Sequence, residues 1–243
     1  MPRKALTESV ADAHAAPGGA AAVDRALSLL SAFQAADVTL GLTELASRTR
    51  LYKSTALRLL ASLEHAGFIQ KFNDGRYGLG AEVARLHGIY AASFSLDRVV
   101  LPVLRELVSM TGESAAFHVR QGDSRLCLYR VDSPHPVRDH IRAGDLLPLD
   151  RGTGGRTLVA FDPTLNRSLG KHDRAFYERI RSDGYYASVG DRLSEVAGIS
   201  APVFMSDLRL AGALTLTMPA HRYDEHYLKF VLASARLLSG LVG

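Results

Sequence analysis

Leu42, Leu45 and Ala46 lie three and four residues apart and predict a helix that begins near Leu42 or Thr43, with the Thr43 hydroxyl as its cap. The apolar pattern breaks at Thr49-Arg50-Leu51, and a second helix is expected from about Tyr52, with Ala56, Leu57, Leu59, Leu60 and Leu63 as one core-facing stripe. That stripe leaves Lys53, Ser54, Thr55 and Arg58 on the exposed N-terminal half. Gly67 can end the helix in a left-handed conformation; short strands at Phe68-Ile-Gln-Lys-Phe and Arg76-Tyr then flank an Asn73-Asp-Gly turn. Val83, Leu86, Ile89 and Tyr90 suit a linker helix over 81–95, whose small residues Ala81, Ala84, Ala91 and Ala92 allow close contact with a partner subunit. Farther on, the pattern predicts helices over 96–110, 154–161, 173–182 and 224–241, and strands over 113–120, 125–132, 137–142, 185–188, 198–204 and 211–218. The fold class is α+β, an antiparallel sheet flanked by helices behind a small helical module.

Two helices joined by a turn of three or four residues, with a hairpin directly behind, form a winged helix-turn-helix, and that arrangement points to double-stranded DNA. Arg48, Arg50, Lys53 and Arg58 are basic and no acidic residue lies between 48 and 58. Lysine and arginine neutralise phosphates, hydroxyls bond phosphates or base edges, and a helix N-terminus is itself positive. Thr43, Lys53, Ser54, Thr55 and Arg58 are therefore the expected DNA contacts on the helices, and Lys71, Asn73 and Arg76 those on the wing. A solvated basic helix face gives the same pattern over one window; the hairpin behind it is what favours DNA.

At 243 residues and 47% hydrophobic composition the chain is long enough for two cores. The expected division is a disordered leader over 1–21, the DNA-binding domain over 22–80, the linker over 81–95 and an effector-binding and oligomerisation domain over 96–243. The sequence contains no apolar run of about 18 residues, and the Ala-rich first 21 residues lack the hydrophobic centre of a signal peptide, so a cytoplasmic protein with no membrane partner is expected. A single cysteine, Cys127, excludes an internal disulfide and any cysteine-based zinc cluster. A net charge of +4 says less about nucleic acid than the local clustering does.

Several motifs in order, Val23-Asp-Arg-Ala-Leu, Leu42-Thr-Glu-Leu-Ala, Lys53-Ser-Thr, Arg58-Leu-Leu and Gly67-Phe, resemble the DNA-binding module of the IclR family of bacterial transcriptional regulators. Leu147-Pro-Leu, Gly154-Gly-Arg, Gly184-Tyr, Ile199-Ser-Ala-Pro-Val-Phe and Gly212-Ala-Leu resemble that family's effector domain. The resemblance implies a GAF-like fold for the second module, a homodimer that often pairs into a tetramer, control of a catabolic operon, commonly as a repressor, and a small organic acid as effector. It also implies that Asp139, Leu147, Ser188 and Gly198 line the effector pocket. Arg50 and Tyr52 stand where the family usually has Gly and Pro. Ser188 lacks the charge of an acidic residue and Gly198 has no side chain, so the pocket is expected to have spare room and to take an aromatic or acyl acid rather than one of two or three carbons.

Gly152-Thr-Gly-Gly-Arg lacks the lysine of a P-loop and the spacing of a dinucleotide site, but the N–H groups of Thr153 and Gly154 at a helix N-terminus suit a carboxylate. Thr215 and Thr217 share one face of a strand and can present two hydroxyls to it. His118, His135, His140, His172, His221 and His226 are scattered without metal-ligand spacing, and no nucleophile elbow occurs, so neither catalytic residues nor a cofactor or metal is expected. The competing class is a small-molecule enzyme or sensor whose helix-turn-helix serves protein contacts, which would have no need of the basic, hydroxyl-bearing stretch from Lys53 to Arg58.

Overall fold

A computed structural model describes residues 8–34, 36–94, 96–166 and 170–242, and the chain forms two compact units, 1–93 and 94–243.

The first unit contains α1 (Val10–Ala13), α2 (Ala21–Ser31), α3 (Leu42–Thr49), α4 (Lys53–His65), a hairpin of β1 (Ile69–Lys71) and β2 (Tyr77–Leu79), and α5 (Ala81–Phe94). Leu29 of α2, Leu45 of α3, Ala56, Leu60 and Leu63 of α4 and Ile69 and Tyr77 of the hairpin share one core with Leu40 and Leu51. Each fully buried leucine there contributes on the order of 2 kcal/mol by leaving water. Leu40 and Tyr77 exchange backbone hydrogen bonds of 2.8 Å in both directions, which ties the segment before α3 to the wing.

Four local expectations are corrected in this unit. Gly41, not Thr43, is the N-cap of α3, and Thr43 lies exposed in the first turn. Leu57 is 44% exposed, because it falls one step outside the stripe defined by Ala56, Leu60 and Leu63. Arg48 does not present a free charge: Asp37 and Glu44 both pair with it, and it donates to the Ala32 carbonyl. Within the expected leader, residues 1–7 lie outside the described residues, but α1 packs on α2, with Ser9 capping it, Ala11 buried and Asp12 bonded to Arg25 at 2.9 Å.

The α3–α4 turn forms without glycine. Arg50 takes the left-handed conformation, with φ 55° and ψ 28°, and Leu51 N–H reaches back to the Ala46 carbonyl at 3.1 Å, so the turn closes as a helix C-cap. Tyr52 has φ −63°, the value at which proline is locked, so Arg50 and Tyr52 take backbone angles that glycine and proline would also adopt. Gly67, with φ 76°, ends α4 as expected.

The second unit begins with α6 (Leu96–Thr111) and continues through β3 (Ser114–Gln121), β4 (Ser124–Val131), β5 (Leu146–Pro148), α7 (Thr153–Phe161), α8 (Pro163–Asn166), α9 (Lys171–Asp183), β6 (Tyr186–Val189), β7 (Val196–Phe204), β8 (Leu210–Pro219), two 3-10 turns and α10 (Leu228–Leu238). Its six strands form one antiparallel sheet in the order β5-β4-β3-β8-β7-β6, giving the α+β class expected. Because side chains alternate along a strand, Leu214, Leu216 and Met218 face α6 and α10 in the main core, while Ala213, Thr215 and Thr217 face α7.

The strand expected over 137–142 is an irregular loop. Its alternation is real, since Ile141 is 6% exposed and the Asp139 side chain 1%, but Pro134 and Pro136 lead into it and Asp145 takes the Arg142 N–H, so no ladder forms. The expected final helix is confined to α10, after 3-10 turns at Ala220–Arg222 and Glu225–Tyr227.

Candidate DNA-binding surface and ligand pocket

On α4, Lys53, Ser54 and Arg58 are exposed and Thr55 half-buried, all within the first two turns, while Ala56 and Leu60 point into the core. Neither Lys53 nor Arg58 has an acidic partner among the described residues, so that half of the helix presents net positive charge. At the wing, Lys71, Asn73 and Arg76 are exposed; the Lys71 ammonium sits 5.9 Å from the Tyr77 ring centre, and Arg76 donates to Thr39 Oγ1 at 2.7 Å and to its carbonyl at 2.6 Å. Rigid wing geometry and an exposed cation are thus combined in Arg76.

In the second unit, one face of the sheet carries the candidate ligand pocket. The register places Leu147 beside Arg125, Cys127 beside His118, Ala116 beside Thr215, and Thr217 beside Gly198, which in turn pairs with Ser188, so these residues form a row beneath α7. Gly152 is the N-cap of α7, with φ 76°, and the first turn is Thr153-Gly154-Gly155. Gly154 is required by close approach: a Cβ there would lie 2.5 Å from Arg125 Nη1, 2.8 Å from Thr215 Oγ1 and 3.0 Å from His118 Cδ2. A guanidinium, a hydroxyl and an imidazole therefore converge on the start of α7.

Arg125 is 2% exposed, its Nε is buried without a partner, and among the described residues no hydrogen bond reaches its guanidinium. Burial, with Arg192 nearby, pushes its pKa down to about 10, so the side chain stays charged at neutral pH. His118 is 1% exposed, its Nδ1 also lacks a partner, and burial followed by the charges of Arg125, Arg130 and Arg192 holds its pKa well below the usual value, which keeps it neutral. The Thr215 hydroxyl meets Ser200 Oγ at 3.0 Å, and Thr217 Oγ1 lies 3.5 Å from the Ser114 carbonyl. Asp191 accepts the Gly152 N–H at 2.5 Å and pairs with Arg156; Asp139 pairs with Arg130 and, at 3.4 Å, with Arg192. Both carboxylates near Arg125 are thus already engaged elsewhere.

Two cavities adjoin. The inner one, about 20 Å³, or the room of one water, brings together Thr153, Ser188, Gly198, Thr215 and Thr217 of the candidate residues with Gly152, His118, Arg125, Asp191 and Arg192, which were not among them. The outer one, about 460 Å³, takes in Asp139 and Leu147, with His140, His221, Asp145 and Glu195. Ile141, Arg192 and Val196 line both. The spare room expected at Gly198 is absent: a Cβ there would lie 2.6 Å from Thr153 Oγ1, so Thr153 already fills it, and the space lies in the outer cavity instead. Arg125 was legible only as an arginine directly before the apolar run Leu126-Cys-Leu-Tyr, where a buried charge needs a reason.

Cys127 is fully buried, and burial pushes its thiol up to about 12, which makes it an inert packing residue. His226 stacks edge-on against Phe230, and the His172 side chain lies outside the described residues. Among the described residues no group of three His, Cys, Asp or Glu side chains could hold a metal, and no helix is long and apolar enough to cross a membrane.

Residues 22–71 match the family model of the IclR helix-turn-helix domain, and residues 89–169 that of the bacterial transcriptional regulator IclR C-terminal. An IclR-family regulator from Rhodococcus sp. of known structure is 30% identical, with 98% of each chain covered and a TM-score of 0.57. The chain belongs to the IclR family. It is similar to the glycerol operon regulatory protein of Streptomyces coelicolor, at 29% identity over 216 residues covering 82% of this chain and 85% of that protein. An IclR homolog from Microbacterium hydrocarbonoxydans, solved in complex with 4-hydroxybenzoate, shares the fold at a TM-score of 0.76 and 21% identity, over 90% of this chain and 97% of that one. The protein is accordingly a ligand-responsive, DNA-binding regulator of transcription and not an enzyme, which removes the enzyme alternative.

Proposed function

We propose that this IclR-family protein is a cytoplasmic repressor of a catabolic operon that binds double-stranded operator DNA as a homodimer and is controlled by a small organic acid. The observation that carries the DNA half is the division of α4 into a buried face, Ala56, Leu60 and Leu63, and an exposed start bearing Lys53, Ser54, Thr55 and Arg58 without acidic partners among the described residues. In this reading α4 enters the major groove, Thr43 approaches phosphate from α3, and Lys71, Asn73 and Arg76 of the wing touch backbone or minor groove. Leu86, Ile89 and Tyr90 of α5, exposed by 41, 50 and 39%, supply an apolar face for a second copy, and two copies hold two reading heads against two half-sites.

The effector half is supported by the pocket at the start of α7. Thr153 and Gly154 can offer N–H groups to a carboxylate, with Thr215, Thr217, Ser188 and Gly198 around it and Asp139 and Leu147 in the outer cavity. The aromatic acid in the Microbacterium homolog supports an acid of that kind here.

The test is binding of the full chain to DNA upstream of its own gene and the neighbouring genes, over a salt series, with unrelated DNA as control. Selective binding that falls steeply with salt is expected; equal, weak binding to every DNA overturns the reading.

A further inference from the structure

We infer that Arg125 is the receptor for the effector's carboxylate, and that it restricts the effector to a single-headed acid whose head enters the inner cavity while its tail lies in the outer one. The assignment rests on this pocket being the effector site of a ligand-responsive regulator.

Three observations carry it. A buried guanidinium is strongly unfavourable unless an anion meets it, yet Arg125 has no hydrogen-bond partner among the described residues. The positive end of α7 packs directly against it, with Gly152 and Gly154 close enough that a Cβ on either would fall 2.8 Å or less from a guanidinium nitrogen. Two positive features thus face each other, and the nearest carboxylates are committed, Asp191 to Gly152 and Arg156, Asp139 to Arg130 and Arg192. An anion in the inner cavity, which Arg125, Gly152 and Thr153 all line, would meet both at once, and a forked guanidinium suits a carboxylate in two-point contact.

The volumes define the rest of the ligand. The inner cavity holds about one water, so a carboxylate group fits there only as Arg192 moves aside, and the remainder of the ligand must pass Ile141, Arg192 and Val196 into the outer cavity of about 460 Å³. That space is bordered by Asp139, Asp145 and Glu195 against Arg138 and Arg192, with His140 and His221. Asp139 is neutralised by Arg130 and Arg192, so Asp145 and Glu195 stand against Arg138 alone, which disfavours a second anionic group and suits a tail that carries hydrogen-bond donors such as hydroxyls. Arg192 lines both cavities and is held to Asp139 by a single 3.4 Å contact, so it is the part of the wall that must shift when the head enters.

The test is thermal unfolding of the full chain with millimolar 4-hydroxybenzoate, phenylacetate and octanoate, each beside its uncharged amide, for wild type, R125M and R125K, with operator binding measured in parallel. At least one acid should raise the wild-type Tm and bind ten-fold or more tightly than its amide. R125M should lose that rise while melting no lower than wild type without ligand, and R125K should bind the same acid at least several-fold more weakly, since the point charge lacks the fork. The inference is overturned if no acid stabilises the wild type, if amides match their acids, or if R125M responds like wild type. Should R125M not fold, the acid-to-amide contrast in the wild type and the R125K response still decide. Selective DNA binding without an acid response sinks the Arg125 assignment alone; an acid response without selective DNA binding sinks the regulator reading instead.

Discussion

Arg192 Nη2 lies 3.4 Å from Asp139, a carboxylate that Arg130 also holds and whose side chain is 1% exposed. One buried anion therefore joins β4, the loop after it and the loop between β6 and β7. Asp139→Asn keeps the shape and removes the charge, leaving Arg130, itself 4% exposed, without its buried counter-ion. Stability should fall by about 3 kcal/mol, read from urea unfolding of the wild type and the variant. A loss under about 1 kcal/mol would mean that Asp132 alone satisfies Arg130.

Arg58 and Arg48 are both basic residues of the helix pair but should behave differently. Arg58→Ala should weaken operator binding and reduce the slope of log affinity against log salt by about 1, with the melting temperature unchanged. Arg48, bound to Asp37 and Glu44, should affect melting temperature when changed to Ala and leave the salt slope as it was. Fluorescence anisotropy on a labelled operator at several salt concentrations separates the two.

The left-handed Arg50 at φ 55° is a strained position for a side chain with a Cβ. Arg50→Gly should stabilise the chain by roughly 0.5–1 kcal/mol, the relief of strain less the extra entropy glycine loses on folding. A destabilised variant would show that the Arg50 side chain makes contacts that outweigh its backbone.

His118 is buried in its neutral form, and its folded pKa lies well below the usual 6.5. In acid the unfolded chain takes up a proton that the folded chain refuses, so its contribution is intact above pH 6.5 and declines as pH falls through that value, by up to about 1.4 kcal/mol per pH unit. Between pH 7 and 5, His118→Gln should show a flatter stability curve than wild type. Parallel curves would exclude His118 as the titrating group.

The helix pair, the wing and most of the sheet could be read from the sequence because each depends on local periodicity: Leu45 with Ala46, Leu60 with Leu63, and the alternation of Leu214, Leu216 and Met218 against Thr215 and Thr217. Leu57 misled because a run of leucines hides which one faces out, and the 137–142 loop misled because its alternation comes from burying Asp139 and Ile141 beside distant partners. Arg125 was missed for the same reason. Its burial follows from α7 lying across the sheet on Gly152 and Gly154, a contact between segments about thirty residues apart that no local window contains.

The interior position of Arg125 also bears on how long a molecule of this protein survives. A charge held inside without an anion weakens the empty domain, and any anion that binds there adds stability by mass action. The vacant form is then the one that opens more often to proteases, so the number of copies in a cell should rise and fall with the supply of the compound sensed. Abundance would become part of the signal.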